Sequence, residues 1–75
     1  MQYRIRVFNG TKLVDERFFK DIYDAQDFAK IATTNNKRRA YLEEFYEVHL
    51  VGGEVHKVQS SICVLYKYGS IITVV

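Results

Sequence analysis

The clearest amphipathic helix in this sequence is predicted over Ile22-Tyr23-Asp24-Ala25-Gln26-Asp27-Phe28-Ala29-Lys30-Ile31-Ala32-Thr33-Thr34. Its apolar residues recur at the i, i+3, i+4, i+7 spacing that forms one stripe along a helix. These are Ile22, Ala25, Phe28, Ala29 and Ala32, with Ile31 at the edge of the stripe. Asp24 is the predicted N-cap, because its carboxylate can accept hydrogen bonds from unpaired amides of the first turn. Nearly everything outside this segment has the pattern of strands and turns, so the sequence predicts one helix packed on one small sheet.

The residues before the helix predict a β-hairpin. Residues 3–8 alternate between apolar and polar side chains, and residues 12–19 form the returning strand. Asn9-Gly10 lies between them, and both residues tolerate the positive φ of a type I′ turn. A two-residue loop at this position would place Ile5 opposite Val14 and Arg4 opposite Asp15. In that register the helix side of the hairpin carries Tyr3, Ile5, Val7, Val14 and Phe18. The outer face then carries Arg4, Arg6, Phe8, Leu13, Asp15, Arg17 and Phe19.

The residues after the helix predict further strands. Residues 40–45 fit either a helical turn or the start of a strand, and residues 46–51 alternate clearly. Gly52-Gly53 predicts a second hairpin turn, and two more groups of strand-forming residues follow up to Val75. The predicted fold class is therefore α+β, with one domain over residues 1–75. Its small, largely antiparallel sheet has the order ββαβββ or ββαββββ, and the amphipathic helix packs on one face.

The composition narrows the function classes. The formal net charge is +2, which is too small to indicate a nucleic-acid partner by itself. No apolar run approaches the roughly 20 residues of a membrane span, so no membrane partner is expected. Cys63 is the single cysteine and cannot form an intramolecular disulfide, which favours a reducing cytoplasm.

No catalytic or cofactor-binding constellation is present in the sequence. Cys63 lies among apolar strand residues, where a structural thiol is the default, and the glycines occupy turns rather than a phosphate-binding loop. A two-residue Gly52-Gly53 loop would place His49 opposite His56, at a cross-strand distance that could chelate a metal. Two histidines do not complete a zinc site, however. We therefore predict a protein without enzymatic activity, cofactor or metal.

The outer face of the hairpin and the basic run after the helix supply the candidate binding residues. They are Arg4, Arg6, Phe8, Leu13, Arg17, Phe19, Lys37, Arg38 and Arg39. Basic side chains interleaved with aromatic rings suit single-stranded nucleic acid, which needs phosphate neutralisation and a stacking platform. A solvated face with a cross-strand Arg4–Asp15 ion pair is the alternative interpretation.

Apolar residues in excess of what one helix can cover indicate a protein partner or a homodimer. Phe8, Leu13 and Phe19 lie on the predicted outer face, and the chain closes with Ile71-Ile72-Thr73-Val74-Val75. As an unpaired edge, this last strand would be open to strand addition or dimerisation. In the alternative arrangement it lies in the middle of the sheet and is buried on both faces.

Residues 3–32 resemble a known architecture. They comprise the strand Tyr3-Arg4-Ile5-Arg6-Val7, the Asn9-Gly10 turn, the return strand Val14-Asp15-Glu16-Arg17-Phe18 and a helix containing Asp24-Ala25-Gln26-Asp27-Phe28-Ala29-Lys30. This order is similar to that of short phage-encoded accessory proteins, including some type I anti-CRISPR proteins. The resemblance implies a stand-alone inhibitor that blocks a host macromolecule by binding. The resulting hypothesis is a phage or mobile-element inhibitor or adaptor with a protein partner, and a nucleic-acid-binding module is the alternative.

Overall fold

The helix lies across one face of an antiparallel sheet in the computed structural model, which describes residues 2–35 and 37–74 except the side chains of residues 61 and 62. The strand order is β2-β1-β3-β4-β5, and every neighbouring pair is antiparallel. The predicted α+β class and the order ββαβββ are confirmed. The elements are β1 (Gln2–Asn9), β2 (Lys12–Phe19), α1 (Ile22–Ala32), β3 (Arg38–His49), β4 (Val55–Lys67) and β5 (Ser70–Val74).

The helix begins one turn earlier than its predicted cap and ends before its predicted end. Asp21 is the N-cap, and its Oδ1 accepts a hydrogen bond from the backbone N–H of Tyr23 at 2.7 Å. Asp24, the predicted cap, lies inside the first turn, where its negative charge still favours the positive end of the helix dipole. The helix ends at Ala32 because the hydroxyl of Thr33 donates to the Ala29 carbonyl and its side chain competes with further helical bonding.

The hydrophobic core lies between the helix and the centre of the sheet. The predicted helical stripe is confirmed, since Ala25 and Ala29 are fully buried and Ile22, Phe28 and Ala32 pack around them. Two alanines at the contact let the helix approach the sheet closely, where larger side chains from the strands fill the space. The buried strand residues are Ile5, Val7, Ala40, Leu42 and Tyr66. This face of the sheet is called the covered face below.

The predicted register between β1 and β2 is wrong from the turn onward, since the two-residue loop is Gly10-Thr11 rather than Asn9-Gly10. Asn9 pairs with Lys12 around the Gly10-Thr11 loop, and Leu13 pairs with Phe8. Leu13 therefore stays on the predicted outer face. A bulge then adds Val14 to β2, so that Val7 pairs with Asp15. One extra residue moves every following side chain to the other face of a strand. The sequence-based assignment of β2 therefore fails from Val14 onward.

The bulge reverses four assignments on β2. Phe19 and Arg17 lie on the covered face, opposite Tyr3 and Ile5, although the sequence placed both on the outer face. Asp15 also moves to the covered face and does not pair with Arg4. Phe18 lies opposite Arg4 on the uncovered side and is 57% exposed, whereas a core position was predicted for it.

Strands β3 and β4 extend beyond the rest of the sheet. Residues 40–45, which the sequence left open, belong to β3. The pairing of β1 with β3 ends at Phe45, and β5 pairs with β4 only from Val64 onward. Residues 46–58 consequently form a two-stranded arm, and the molecule is 47 Å long but 23 and 19 Å in its other dimensions. Among the described residues, no third strand pairs with either edge of this arm.

The last strand, β5, is one edge of the sheet. It pairs with β4 on one side only, and Ile71, Ile72 and Val74 are each at least half exposed. The alternative in which the tail is buried in the middle of the sheet is therefore wrong. Val75, the predicted last residue of this strand, lies outside the described residues.

Candidate binding face

The sheet has one face without a helix, and we call it the open face. Its residues are positioned by strand alternation, since neighbouring side chains along a strand point to opposite faces of the sheet. From β2 to β4 its members are Leu13, Glu16, Phe18, Phe8, Arg6, Arg4, Arg39, Tyr41, Glu43, Phe45, Gln59, Cys63, Leu65 and Lys67. Five of the nine residues that the sequence proposed for binding lie here: Arg4, Arg6, Phe8, Leu13 and Arg39.

A buried carboxylate, Glu43, occupies the centre of the open face. It is 1% exposed, although only side chains of the sheet itself cover it. Arg6 donates to its Oε1 through Nε at 2.7 Å and approaches the same oxygen with Nη2 at 2.6 Å, while Arg4 donates to Oε2 at 2.8 Å. The Gln59 side-chain amide donates to Oε2 as well. Both carboxylate oxygens are thus hydrogen-bonded, which offsets the cost of removing the charge from water.

The two arginines also lie over aromatic rings. The guanidinium carbon of Arg4 is 4.9 Å from the centre of the Phe45 ring, and that of Arg6 is 5.9 Å from the Phe8 ring. These contacts hold the arginine stems flat against the sheet, where they shield Glu43 from solvent. Arg4 and Arg6 therefore contribute one net positive charge together with Glu43, rather than two free cations.

A second basic and aromatic group lies on the open face near the start of β3. Phe8 and Tyr41 meet edge to face, with ring centres 5.8 Å apart. Arg39 lies over both rings, 5.3 Å from Phe8 and 5.8 Å from Tyr41, and its Nε donates to the Tyr41 hydroxyl at 3.2 Å. Lys67 is directly opposite Arg39 on β4. Within the described part of the chain, neither Arg39 nor Lys67 forms an ion pair with an acidic side chain.

The β2 side of the open face is apolar and exposed. Leu13 is 46% exposed and Phe18 is 57% exposed, and the two are separated along this edge strand by the bulge and Glu16. Glu16 lies opposite Arg6. An exposed phenylalanine and leucine beside an arginine-rich centre have the composition of many protein interfaces.

Four of the proposed binding residues lie elsewhere. Arg17 stacks over the Phe28 ring at 4.7 Å and approaches Asp15 at 3.4 Å, so it covers the edge of the core. Phe19 packs on Phe28 with ring centres 5.5 Å apart. Lys37 and Arg38 do not share the open face: Lys37 precedes β3, and Arg38 pairs with Asn9 on the covered side.

Sequence reasoning missed Glu43, Gln59, Tyr41, Phe45 and Lys67. Glu43 and its neighbour Glu44 lie on opposite faces of β3, opposite Arg4 and Tyr3 respectively. The signal for the network was cross-strand: two arginines alternate on β1, and β3 offers a glutamate between two aromatic residues. That signal becomes readable only once β1 is known to pair with β3 rather than with β2 alone.

Cys63 lies directly opposite Glu43 on β4. Burial raises the pKa of the Cys63 thiol above its ordinary value of 9.0, and the negative charge of Glu43 raises it further, against the opposing effect of Arg6 and Arg4. A thiol with a raised pKa carries little thiolate at neutral pH and is a poor nucleophile.

The predicted juxtaposition of His49 and His56 is wrong. The turn is a three-residue loop, because the Leu50 N–H donates to the Glu54 carbonyl and both glycines within the loop have positive φ. His49 consequently pairs with Val55, and His56 pairs with Val48, so the two imidazoles lie on opposite faces of the arm. Among the described residues, no group of three or more His, Cys, Asp or Glu side chains is placed to hold a metal ion.

A shallow depression of about 220 Å³ lies where the arm leaves the sheet, lined by Gln2, Lys20, Phe45, Tyr46, Glu47 and Lys57.

Comparison with protein-family models, curated proteins and solved structures finds no match to this chain. Within residues 2–35 and 37–74, no helix has the length and apolar character needed to cross a membrane.

Proposed function

We propose that this protein is a small non-enzymatic binding protein, an inhibitor or adaptor that occupies a surface on another protein with its open face. The observation that carries the proposal is the uncovered sheet face itself, which presents Phe8, Leu13, Phe18 and Tyr41 around an arginine-rich centre. Aromatic residues and arginine are the residue types that dominate binding energy at protein interfaces.

The size of the open face suits such a role. The four strands from β2 to β4, at ~4.8 Å spacing and about eight residues in length, give a flat area on the order of 500 Å². Side-chain relief enlarges the area that can be buried, which brings it close to the ~800 Å² that each partner contributes to a standard interface. A phage or mobile-element inhibitor of the kind that residues 3–32 resemble would act through a surface of this extent without any catalytic group.

The Glu43 network gives the face a fixed shape before any partner arrives. Four groups are held by hydrogen bonds and ring contacts: the Arg4, Arg6 and Gln59 side chains and the carboxylate they share. Side chains that are already ordered lose less entropy on binding. The open face has more positive than negative side chains: the basic ones are Arg4, Arg6, Arg39 and Lys67, and the acidic ones are Glu16 and Glu43. The complementary partner surface is therefore acidic.

Site-specific photo-crosslinking tests this proposal. A photoreactive amino acid replaces Phe18 on the open face or Ile31 on the exposed side of the helix, where the side chain is 71% exposed. In cells that produce the protein, we expect position 18 to give a defined adduct, identified by mass spectrometry, and position 31 to give none. The purified partner should then bind the wild type and Ile31→Glu alike, but Phe18→Glu at least tenfold more weakly. Equal crosslinking from both positions, or unchanged affinity of Phe18→Glu, would contradict the proposal.

A further inference from the structure

One end of the sheet gathers basic side chains from three different strands and the segment before β3. Lys12 on β2 and Arg38 on β3 both pair with Asn9 at the end of β1. Arg39 then pairs with Lys67 on β4, and Lys37 precedes Arg38 in the chain. We call Lys12, Lys37, Arg38, Arg39 and Lys67 the basic end. Arg39 and Lys67 lie on the open face, whereas Lys12 and Arg38 lie on the covered side, so the basic residues surround the end of the sheet on both faces. Except for the 37–39 run they are far apart in sequence, and the cluster is a product of the fold.

Carboxylates are kept away from the basic end. The nearest acidic residues along the described strands are Asp15 and Glu16 on β2 and Glu43 on β3. Asp15 and Glu43 each approach an arginine within 3.4 Å, and Glu16 lies opposite Arg6. Other acidic residues lie toward the opposite end of the molecule: Asp21 and Asp24 at the start of the helix, and Glu47 and Glu54 in the arm. The net charge of +2 therefore conceals a charge separation along a 47 Å molecule.

Aromatic rings stand within the basic end. Phe8 and Tyr41 lie beneath the Arg39 guanidinium, and the Lys67 ammonium is 5.5 Å from the centre of the Tyr68 ring. Phe8, Tyr41 and Arg39 are all half-buried and keep part of their surface in solvent. An arginine plane over aromatic rings is a surface on which a nucleobase can stack.

We propose that the basic end is a binding site for the phosphodiester backbone of a single-stranded nucleic acid, with a base stacked beside Arg39. Neighbouring strands are ~4.8 Å apart, so the basic residues of β2, β3 and β4 span about 14 Å along the sheet end. That span accommodates a short run of phosphates. This site shares Phe8, Tyr41, Arg39 and Lys67 with the open face. It goes beyond the proposed protein-binding function, and its test uses oligonucleotides, so the two proposals can fail independently.

The aromatic rings favour a single-stranded nucleic acid over an acidic protein segment. Both ligands would satisfy the positive charge, but only the nucleic acid supplies flat bases for the Phe8, Tyr41 and Arg39 surface. A duplex hides its bases from such a surface, because recognition of double-stranded RNA and DNA takes place in the grooves and along the backbone.

Fluorescence anisotropy with a labelled 15-nucleotide oligo-dU and oligo-dT across a salt series tests the site. If three or four phosphates are contacted, log K falls against log salt with a slope of about −2 to −3, by the single-strand value of ~0.7 per phosphate. The test variant combines Lys12→Gln, Lys37→Gln and Lys67→Gln, which removes charge without touching the Arg39 ring contacts. The control combines Lys20→Gln and Lys57→Gln near the arm, which removes two charges at the other end of the molecule.

We expect the basic-end variant to bind at least tenfold more weakly with a shallower slope, and the control to stay within about threefold of the wild type. Tyr41→Leu should weaken binding to the oligonucleotides while leaving binding of poly-glutamate unchanged. The proposal is overturned if the wild type fails to bind at 20 mM salt, or if both variants lose affinity equally. It is also overturned if poly-glutamate competes as well as the oligonucleotides, which would assign the basic end to an acidic protein instead.

Discussion

On the covered face of the sheet Ile5 and Val7 are buried beneath a helix, whereas on the open face Glu43 is buried beneath two arginines. The covered face follows the ordinary rule that apolar side chains are removed from water by a second layer. The open face reaches the same degree of burial with hydrogen bonds and arginine stems. The difference teaches that an exposed sheet face can still contain an ordered, water-excluding centre.

The two kinds of burial contribute differently to stability. Buried apolar side chains provide roughly 25 cal/mol for each Å² removed from water, without any compensating cost in hydration. A buried ion pair gains attraction but loses hydration, and the two terms nearly cancel. The covered face should therefore hold the fold together, while the open face supplies a defined surface at little net gain in stability.

The largest effect is expected from emptying the covered face. Ile5→Ala removes a fully buried side chain from the strand directly beneath the helix, and we expect the free energy of unfolding to fall by ~2–5 kcal/mol. Urea denaturation followed by circular dichroism measures this loss. Ile31→Ala, on the exposed side of the helix, is the control and should change stability by less than ~0.5 kcal/mol. A loss below ~1 kcal/mol for Ile5→Ala would mean that the core is placed on the wrong residues.

The next comparison uses two neighbouring phenylalanines on β2 that point to opposite faces. Phe19 packs on Phe28 against the core, whereas Phe18 is more than half exposed on the open face. Phe19→Ala should cost about 2–3 kcal/mol, less than a fully buried ring because Phe19 is only partly buried. Phe18→Ala should cost less than ~1 kcal/mol in the same urea titration. A larger loss for Phe18→Ala than for Phe19→Ala would mean that Phe18 packs in the core and that β2 has no bulge.

That bulge marks the boundary of what the sequence can predict in this fold. The helical stripe, the element order and the half-buried alternation of β1 all depend on periodicity within one segment, and all are confirmed. The face of each β2 residue after Val14 depends on one inserted residue, and no local pattern distinguishes Leu13-Val14-Asp15 with a bulge from the same residues without one. Arg17 and Phe19 were therefore assigned to the wrong side.

The candidate site was predictable in its residue types but not in its pairing. Arg4, Arg6, Phe8 and Leu13 were identified from the predicted hairpin and Arg39 from the basic run after the helix, and all five lie on the open face. The partner of the two arginines, Glu43, comes from a strand that begins after the helix. Such non-local pairing follows from the order of strands in the sheet, which the hydrophobic pattern of single strands does not specify.

A smaller effect is expected from the centre of the open face. Glu43→Gln keeps the shape of the side chain but removes the charge that Arg4 and Arg6 share, and we expect a loss of ~1–3 kcal/mol. The loss is limited because both arginines are partly exposed and can turn toward water. Glu44→Gln, the next residue on the opposite face, is the matched control and should change stability by less than ~0.5 kcal/mol. Equal losses of stability from Glu43→Gln and Glu44→Gln would mean that the hydrogen bonds of Arg4 and Arg6 to Glu43 do not stabilise the fold.

The smallest effect concerns the reactivity of Cys63 rather than stability. Burial and the facing Glu43 carboxylate raise its pKa above 9.0, so at pH 8 the folded protein holds less thiolate than the unfolded chain. We expect iodoacetamide to alkylate Cys63 more slowly in the folded protein than in urea, with the midpoint of the pH–rate curve shifted upward.

Glu43→Gln sharpens this last comparison. It removes the negative charge that raises the Cys63 pKa while Arg4 and Arg6, which lower it, remain. The midpoint of the alkylation curve should therefore move down relative to the wild type, whereas Glu44→Gln on the covered face should leave it in place. A midpoint that moves upward in Glu43→Gln would mean that the arginines leave the thiol when their carboxylate is lost. In that case the order of the open face depends on Glu43 itself, and the surface offered to a partner would change with it.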